Sequence, residues 1–460
     1  MAGVPWTKFQ DFYLRLGFLK VLVAALSPFR RSVTNDAVYQ KLRVPLFKPA
    51  GTCPELAKRA SAIDWYTPAE IAEGKPYILE SLLVADNCPS WLYAVTTKTI
   101  YKILDWGHDV QFVGRGNQIT ERGLLLRTLL PKEAEEFFTS DGAGWNPFII
   151  SPLERLFFLF HLTEIDRVTV ALIDLLADLD ESEVLESADA AQLTCKALFG
   201  VLEDARSSLS PRYLPEFRTA YDLAKTIARE LEMPVPGGSG SLALARSLPR
   251  APKVIRRTGG LVKSGSHRKK PNKNADHQTI PRFEQLVDLG FLQKPSSESK
   301  EPTRERPPQR RWRYQPTQTC RLWAAAKKEA PSHGNWLWTG FAQTVVESLV
   351  PEQKPGARAT MADAIRFFAD AYDAVHRPVG HTPFDSVALH AMLRAAVEGY
   401  AIEIKTFHNL MLKVKKRNLL PDHVFFASGN DIDTMFINFR RGYRERLIKA
   451  ETSLSEGVSA

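Results

Sequence analysis

Residues 384–418 read FDSVALHAMLRAAVEGYAIEIKTFHNLMLKVKKRN, two helical patterns in succession. In the first, 384–397, Val387, Leu389, Met392, Leu393 and Val397 are available to a core. In the second, 404–418, Phe407, Leu410, Met411 and Val414 recur at i, i+3, i+4 and i+7, which predicts a helix with one apolar stripe. Its other face carries Lys405, His408, Asn409, Lys413, Lys416 and Arg417. Val424-Phe425-Phe426, the turn Ser428-Gly429-Asn430-Asp431 and Met435-Phe436-Ile437-Asn438-Phe439 then predict a hairpin. The unit spanning Pro383 to Phe439 therefore orders two helices before a hairpin, and its second helix turns cations outward.

Working outward, two other segments repeat this order. In Trp91–Leu130, Thr96 to Leu104 reads as a helix with Ile100, Ile103 and Leu104 inward, its outer face holding Lys98 and Lys102. Val110-Gln111-Phe112-Val113 alternates like a strand, Gly114-Arg115-Gly116-Asn117 is a turn, and Thr120-Glu121-Arg122-Gly123 starts the next helix. In Thr279–Trp323, Ile280 to Leu292 reads as a helix, with Arg282 and Gln285 outward, running into a strand. The polar run Pro295–Gln309 separates it from a returning strand at Arg310-Arg311-Trp312-Arg313-Tyr314-Gln315.

Helix, strand, basic turn, strand and Thr-Glu-Arg-Gly resembles the wing region of winged-helix DNA-binding proteins, as does the phrase Leu286-Val287-Asp288-Leu289-Gly290-Phe291-Leu292. The insert before Arg310 departs from that pattern and implies a long basic wing. The resemblance implies a third helix seated in the major groove, with Arg and Lys on phosphates and Asn or Gln on adenine. The residues it points to are Lys98, Lys102, Arg115, Asn117, Arg282, Gln285, Arg310, Arg311, Arg313, Lys405, Asn409, Lys413, Lys416 and Arg417.

The rest of the chain fits several domains in 460 residues. An N-terminal helical region covers 1–90, followed by a winged-helix-like module at 91–150 and a helical domain at 151–233. Helices are expected near 7–26, 34–42, 68–84, 96–106, 120–139, 152–162, 165–179, 188–205 and 215–232. A Pro/Gly/Ser stretch and then Arg/Lys-rich sequence predict a basic flexible linker over 234–278. Modules at 279–330 and 335–450 and a tail at 451–460 complete the chain. Between Arg246 and Lys328 there are 21 Lys/Arg against 6 Asp/Glu, so the net charge of +9 is concentrated there and the remainder is slightly acidic. That surplus favours a polyanionic partner.

The apolar run Phe9–Leu26 is interrupted by Arg15 and Lys20 and reads as a packing helix, not a signal peptide. Leu153–Leu179 contains Glu154, Arg155, Glu164, Asp166, Arg167 and Asp174 and reads as two core helices, so no membrane span is expected. Cys53, Cys88, Cys195 and Cys320 are far apart, which fits a reducing, cytoplasmic setting.

One catalytic pattern stands out. Glu403-Ile404-Lys405, with Asp385 upstream, resembles the core of PD-(D/E)xK nucleases, whose carboxylates hold Mg²⁺ and whose Lys activates water. Glu403 equally suits the N-terminal dipole of the helix that follows it. His376, His381 and His390 have no partner at metal spacing and read as surface or capping residues. Trp312, Tyr314, Trp323, Trp336 and Trp338 interleave with basic residues; they suit a core more than base stacking. No phosphate-binding glycine loop or GxSxG serine motif is present.

Together these features predict a mainly α protein with small β-hairpins, built from winged-helix-like modules joined by a basic linker. The expected role is non-catalytic binding of nucleic acid, foremost duplex DNA, without cofactor or metal. The resemblance implies a regulator or a DNA-recruiting subunit of a larger assembly, including systems that act against phage. The acidic N-terminal part would face protein partners or a second copy. A Mg²⁺-dependent nuclease and a winged-helix protein adaptor are the alternatives.

Overall fold

Short apolar stripes broken by Pro, Gly and single polar residues dictate short helices, and the chain is mainly helical with a few short antiparallel strands. The computed structural model describes residues 15–28, 32–43, 47–49, 77–79, 94–95, 97–136, 145–206, 214–233, 273–294, 313–327, 333–350, 359–376, 381–416, 424–426 and 435–455. Contacts divide the chain into two compact units. The first comprises Met1–Thr120, Pro131–Ile150 and His161–Arg321, the second Glu121–Leu130, Ser151–Phe160 and Leu322–Ala460.

In the first unit, α1 (Gly17–Leu26) packs on α2 (Asn35–Arg43) and α3 (Thr97–Asp109). Every residue of α1 is buried, Lys20 included. The Lys20 ammonium stays satisfied by donating to the Ile149 carbonyl at 2.9 Å and facing the Trp145 ring at 5.6 Å. Residues 7–14 of the helix expected there lie outside the described residues.

Two expectations for this region are corrected. Residues 77–79, expected in a helix over 68–84, form the central strand β2 of a sheet with β1 (Phe47–Pro49) and β3 (Ala94–Val95). Gly74 and Pro76 interrupt a helix, and Tyr77-Ile78-Leu79 favours extended backbone. The remainder of 68–84 lies outside the described residues. The strand expected at Val110–Val113 is absent. Helix α3 runs on to Asp109, and the amides of Phe112 and Val113 both donate to the Gly107 carbonyl, closing its C-terminal end. Gln111 takes φ +61° in this closure, so the segment cannot extend. Only the isolated bridge Val113↔Ile119 remains of the hairpin.

Downstream, α4 (Glu121–Leu129) and α5 (Glu133–Glu136) replace one helix over 120–139, split at Pro131. Helices α6 (Pro152–Ile165) and α7 (Arg167–Leu176) meet at a one-residue break, Asp166. They are followed by β4 (Leu185–Glu186), α8 (Ser187–Arg206), α9 (Leu214–Glu230), α10 (Lys273–Asp288), β5 (Leu292–Gln293) and β6 (Arg313–Pro316). The sheet order is β4-β6-β5, with Leu185 opposite Tyr314 and Leu292 opposite Pro316. Helix α10 starts at Lys273, earlier than expected, and carries Pro281 inside it. The segment expected as a linker lies otherwise, over 234–272, outside the described residues.

In the second unit, α11 (Gln318–Lys327, from Leu322) precedes α12 (His333–Thr339) and α13 (Phe341–Leu349), and Trp323, Trp336 and Phe341 meet edge to face. Helix α14 (Met361–Val375) opens with a capping box in which Thr360 and Asp363 bond each other's backbone amides. Then come β7 (Thr382–Pro383), α15 (Phe384–Val397), α16 (Ile404–Lys416), β8 (Val424–Phe426), β9 (Met435–Ile437) and α17 (Tyr443–Ser455). The sheet order is β7-β9-β8, with Ile437 paired to both Thr382 and Val424. Phe368 of α14 lies at the centre of this core, 5.8 Å from the Phe384 ring, 5.7 Å from Phe407 and 6.4 Å from Phe439.

The two three-stranded sheets β4-β6-β5 and β7-β9-β8 share one plan. A helix (α7 or α14) leads to a strand, a second helix (α8 or α15), a third (α10 or α16), and a hairpin whose last strand pairs with the first. In the first of them α9 is inserted before the third helix.

Gly107 marks the closest approach of α3 to α1: a Cβ there would lie 2.3 Å from Leu22 Cδ2 and 2.9 Å from Val113 Cγ2. Gly107→Ala is therefore expected to destabilise the first unit by about 1–3 kcal/mol through overpacking, read as a lower urea midpoint with unchanged slope.

Candidate nucleic-acid interface

Helix α16 forms because Ile404, Phe407, Leu410, Met411 and Val414 fall on one side and are all buried. That leaves Lys405, Thr406, Asn409, Lys413, Lys415 and Lys416 exposed. The helix contains no acidic residue, and Lys413, Lys415 and Lys416 occupy its last turn. Cations there complement the negative end of the helix dipole, so the concentration of charge is locally favourable.

Its start is fixed from outside. The two Glu403 oxygens accept the amides of Ala342 at 3.2 Å and Gln343 at 2.9 Å, so this carboxylate caps the N-terminal turn of α13. Burial pushes the Glu403 carboxyl up to about 7, against the backbone amides that favour its charge. Both oxygens are thus engaged in a helix cap. Asp385 sits in the first turn of α15 and accepts the Ser386 amide at 2.7 Å, on a helix where a nuclease core needs a strand. On α15, His390 is fully buried and accepts from Arg394 Nε at 3.2 Å. Burial and Arg394 push its imidazole down to about 3, so it is a neutral core residue, not the surface group expected. His376 and His381 are exposed.

The remaining residues of interest divide sharply. In the first segment, Arg115 is exposed in the turn after α3. Lys102 is half-buried and paired with Asp105 at 2.6 Å, and the side chain of Lys98 lies outside the described residues. Asn117 is buried and corrects the expectation of a base contact. It donates to the Val33 carbonyl and to Asn35 Oδ1, both at 2.8 Å, and its own oxygen lies 2.9 Å from His108 Nε2. It occupies φ +56°, where Asn is tolerated, and therefore shapes the turn.

In the middle segment the correction is larger. Arg282 is 1 % exposed and Gln285 fully buried, so neither reaches a groove. Arg282 clasps Asp166 through Nε at 2.9 Å and Nη2 at 3.1 Å, and also donates to the Gln278 carbonyl at 2.8 Å. At the other end of α10, Asp288 binds Arg15 and the Leu16 amide. Burial raises the Asp288 carboxyl even so. Between them Glu284 accepts from Tyr314 and Lys294, each at 2.7 Å. The period of 280–288 suggested an outward polar face, but Arg282, Glu284 and Asp288 bond partners on other elements inside the unit. Sequence reasoning missed this because Asp166 and Arg15, the charges that Arg282 and Asp288 bind, lie more than a hundred residues away and leave no local signal. Arg313 is exposed on β6, and Arg310, Arg311 and Arg417 lie outside the described residues. Tyr314, Trp323 and Trp336 are buried and Trp338 half-buried, as a core role requires; Trp312 lies outside the described residues.

Cys195 and Cys320 are buried, and burial pushes each thiol up to about 12, so neither is a nucleophile at neutral pH. Among the described residues, no three His, Cys, Asp or Glu side chains could hold a metal ion, and no helix is long and apolar enough to cross a membrane. No protein-family model, curated protein or solved structure matches the chain.

Two outcomes are expected. Removing one partner of the buried pair, by Arg282→Ala or Asp166→Ala, leaves an uncompensated buried charge and costs about 3–5 kcal/mol; in urea unfolding the double variant loses less than the sum of the two. Glu403, raised above its ordinary 4.5, contributes stability that is complete below about pH 4.5 and lost as pH rises through about 7. The difference in unfolding free energy between wild type and Glu403→Gln, measured from pH 4 to 8, follows that window.

Proposed function

We propose that this chain binds duplex DNA through the cationic face of α16, acting as a non-catalytic regulator or DNA-recruiting subunit. One observation carries the reading. Helix, strand, helix, helix and hairpin, with the first strand paired to the last, is the arrangement of a winged-helix module, and in the second unit its third helix turns four lysines to solvent. A helix fits the major groove, and ammonium groups beside it neutralise phosphates. The hairpin β8–β9 takes the place of the wing. The basic surplus at 246–328 supports the same class of partner.

A second role is favoured for the middle segment. It has the same element order, but the polar residues of its third helix are consumed by Asp166, Arg15 and Tyr314. This supports a scaffold or protein-docking role there, with the proposed nucleic-acid contact kept to the C-terminal segment. Glu403 serves that contact by holding the start of α16 against α13, whose Ala342 and Gln343 amides its two oxygens accept.

The reading is tested by fluorescence anisotropy on a 25-base-pair duplex of random sequence at several salt concentrations. Binding is expected to weaken steeply with salt. Replacing Lys413 or Lys416 by Ala is expected to flatten the log–log slope by about 0.9 each. An unchanged slope in both variants, or binding insensitive to salt, refutes the assignment to α16.

A further inference from the structure

Helix α9 has no counterpart in the second of the two repeated plans, and its two sides differ in kind. The inner side is made of Ala220, Ala224, Ile227 and Ala228, all buried where α9 packs on α8 and α10. Leu214, Phe217 and Tyr221 follow one another at i, i+3 and i+7 and form a strip along the edge of that contact. Leu214 is 42 % exposed, and Phe217 and Tyr221 are half-buried. Phe217 stacks on Tyr221 at 6.0 Å, and Tyr221 meets Phe199 of α8 edge to face at 5.8 Å. The strip is thus held in place from inside while its outer rim stays uncovered.

The charges beside this strip are ordered. Arg218 and Asp222 are exposed, one helical turn apart, at equal distances on either side of Ala220 along the axis. Among the described residues Arg218 takes part in no ion pair, and Asp222 lies 3.9 Å from Lys225 of its own helix, at the outer limit of one. When a twofold axis relates two antiparallel copies of a helix, the same face of each meets the other, and a residue before the centre faces one equally far after it. Centred at the level of Ala220, that pairing sets Arg218 of each copy against Asp222 of the other. It also brings the exposed Leu214 of each copy level with Lys225 and Thr226 of the other, where the methylene stem of Lys225 offers apolar cover. A parallel pairing would instead set Arg218 against Arg218 and Asp222 against Asp222.

We infer that α9 is the docking surface for a second copy of this chain, joined antiparallel across Arg218 and Asp222. The inference rests on the docking role proposed for the middle segment and commits it to one occupant. Charge complementarity decides that occupant. A uniformly basic or acidic partner would meet a like charge at Arg218 or at Asp222, whereas the same helix reversed meets none. The 17 residues of α9 span about 26 Å. Two such helices side by side bury less than the roughly 1,600 Å² of a standard interface. The dimer is therefore a weak, reversible one that forms at micromolar concentration.

Sedimentation velocity of the full-length protein without DNA, from about 1 to 100 µM, tests this. The wild type is expected to pass from monomer to dimer over that range. Arg218→Asp sets Asp against Asp at both contacts and is expected to weaken the dimer about tenfold. Asp222→Arg sets Arg against Arg and acts alike. Combining the two reversals restores opposite charges in exchanged positions and returns the dimer to near its original strength, a recovery that a misfolded variant could not give. Leu214→Ser leaves every charge in place and is also expected to weaken the dimer about tenfold. A monomer at every concentration overturns the pairing alone, since the docking role of the middle segment does not require a second copy. A dimer that both single reversals leave intact lies off α9 and overturns it too. Failure of the double variant to recover overturns the antiparallel register.

Discussion

The buried clasp between Arg282 and Asp166 is the constraint on which the first unit turns. Asp166 is the single residue that separates α6 from α7, and its carboxylate also accepts the Thr169 hydroxyl at 2.7 Å. Two nearly parallel bonds from a guanidinium fork fix both distance and orientation, a demand that a lysine could not meet. The clasp thereby ties the start of α7 to the middle of α10, a helix 116 residues further along the chain. Its worth lies in specificity as much as in stability: an aliphatic pair of the same volume would fill the space without fixing the register of one helix against the other. Arg15 with Asp288, and Glu284 with Tyr314 and Lys294, extend the same logic along α10.

The comparison of α10 with α16 shows how one plan of elements supports opposite surfaces. Both are third helices before a hairpin. In α10 an unbroken run from Gln278 to Leu286 is buried, polar residues included. In α16 burial follows the 3.6-residue period and stops at the stripe. The difference is supplied by neighbours, since α10 is surrounded by α8, α9 and β5 and met by the Arg15–Leu16 segment.

Periodicity made most of the helices legible. The stretches 384–397 and 404–416, the break near Asp166, and the hairpin at 424–437 follow from apolar spacing and turn residues, whereas the split at Pro131 was not read. Strands of two residues were not legible: Leu185–Glu186 and Thr382–Pro383 are strands only because a distant hairpin edge lies against them. The same limit governs the surface. Lys405, Asn409, Lys413 and Lys416 were visible because their own helix decides their exposure, whereas Arg282 and Asn117 take their roles from partners remote in sequence. Glu403 lay between the two cases. Its suitability for a helix N-terminus was readable, but the helix it caps is α13 and not the one that follows it.

The pairing of Leu292 with Pro316 and Gln293 with Gln315 pins both ends of the intervening segment to one sheet. Closing a loop costs entropy that grows only with the logarithm of its length, so doubling this one would add about 0.6 kcal/mol. The segment can therefore lengthen, shorten or change its charge during divergence while the register of β5 and β6 is kept. Evolution has in that hairpin a place to alter local charge without renegotiating the core.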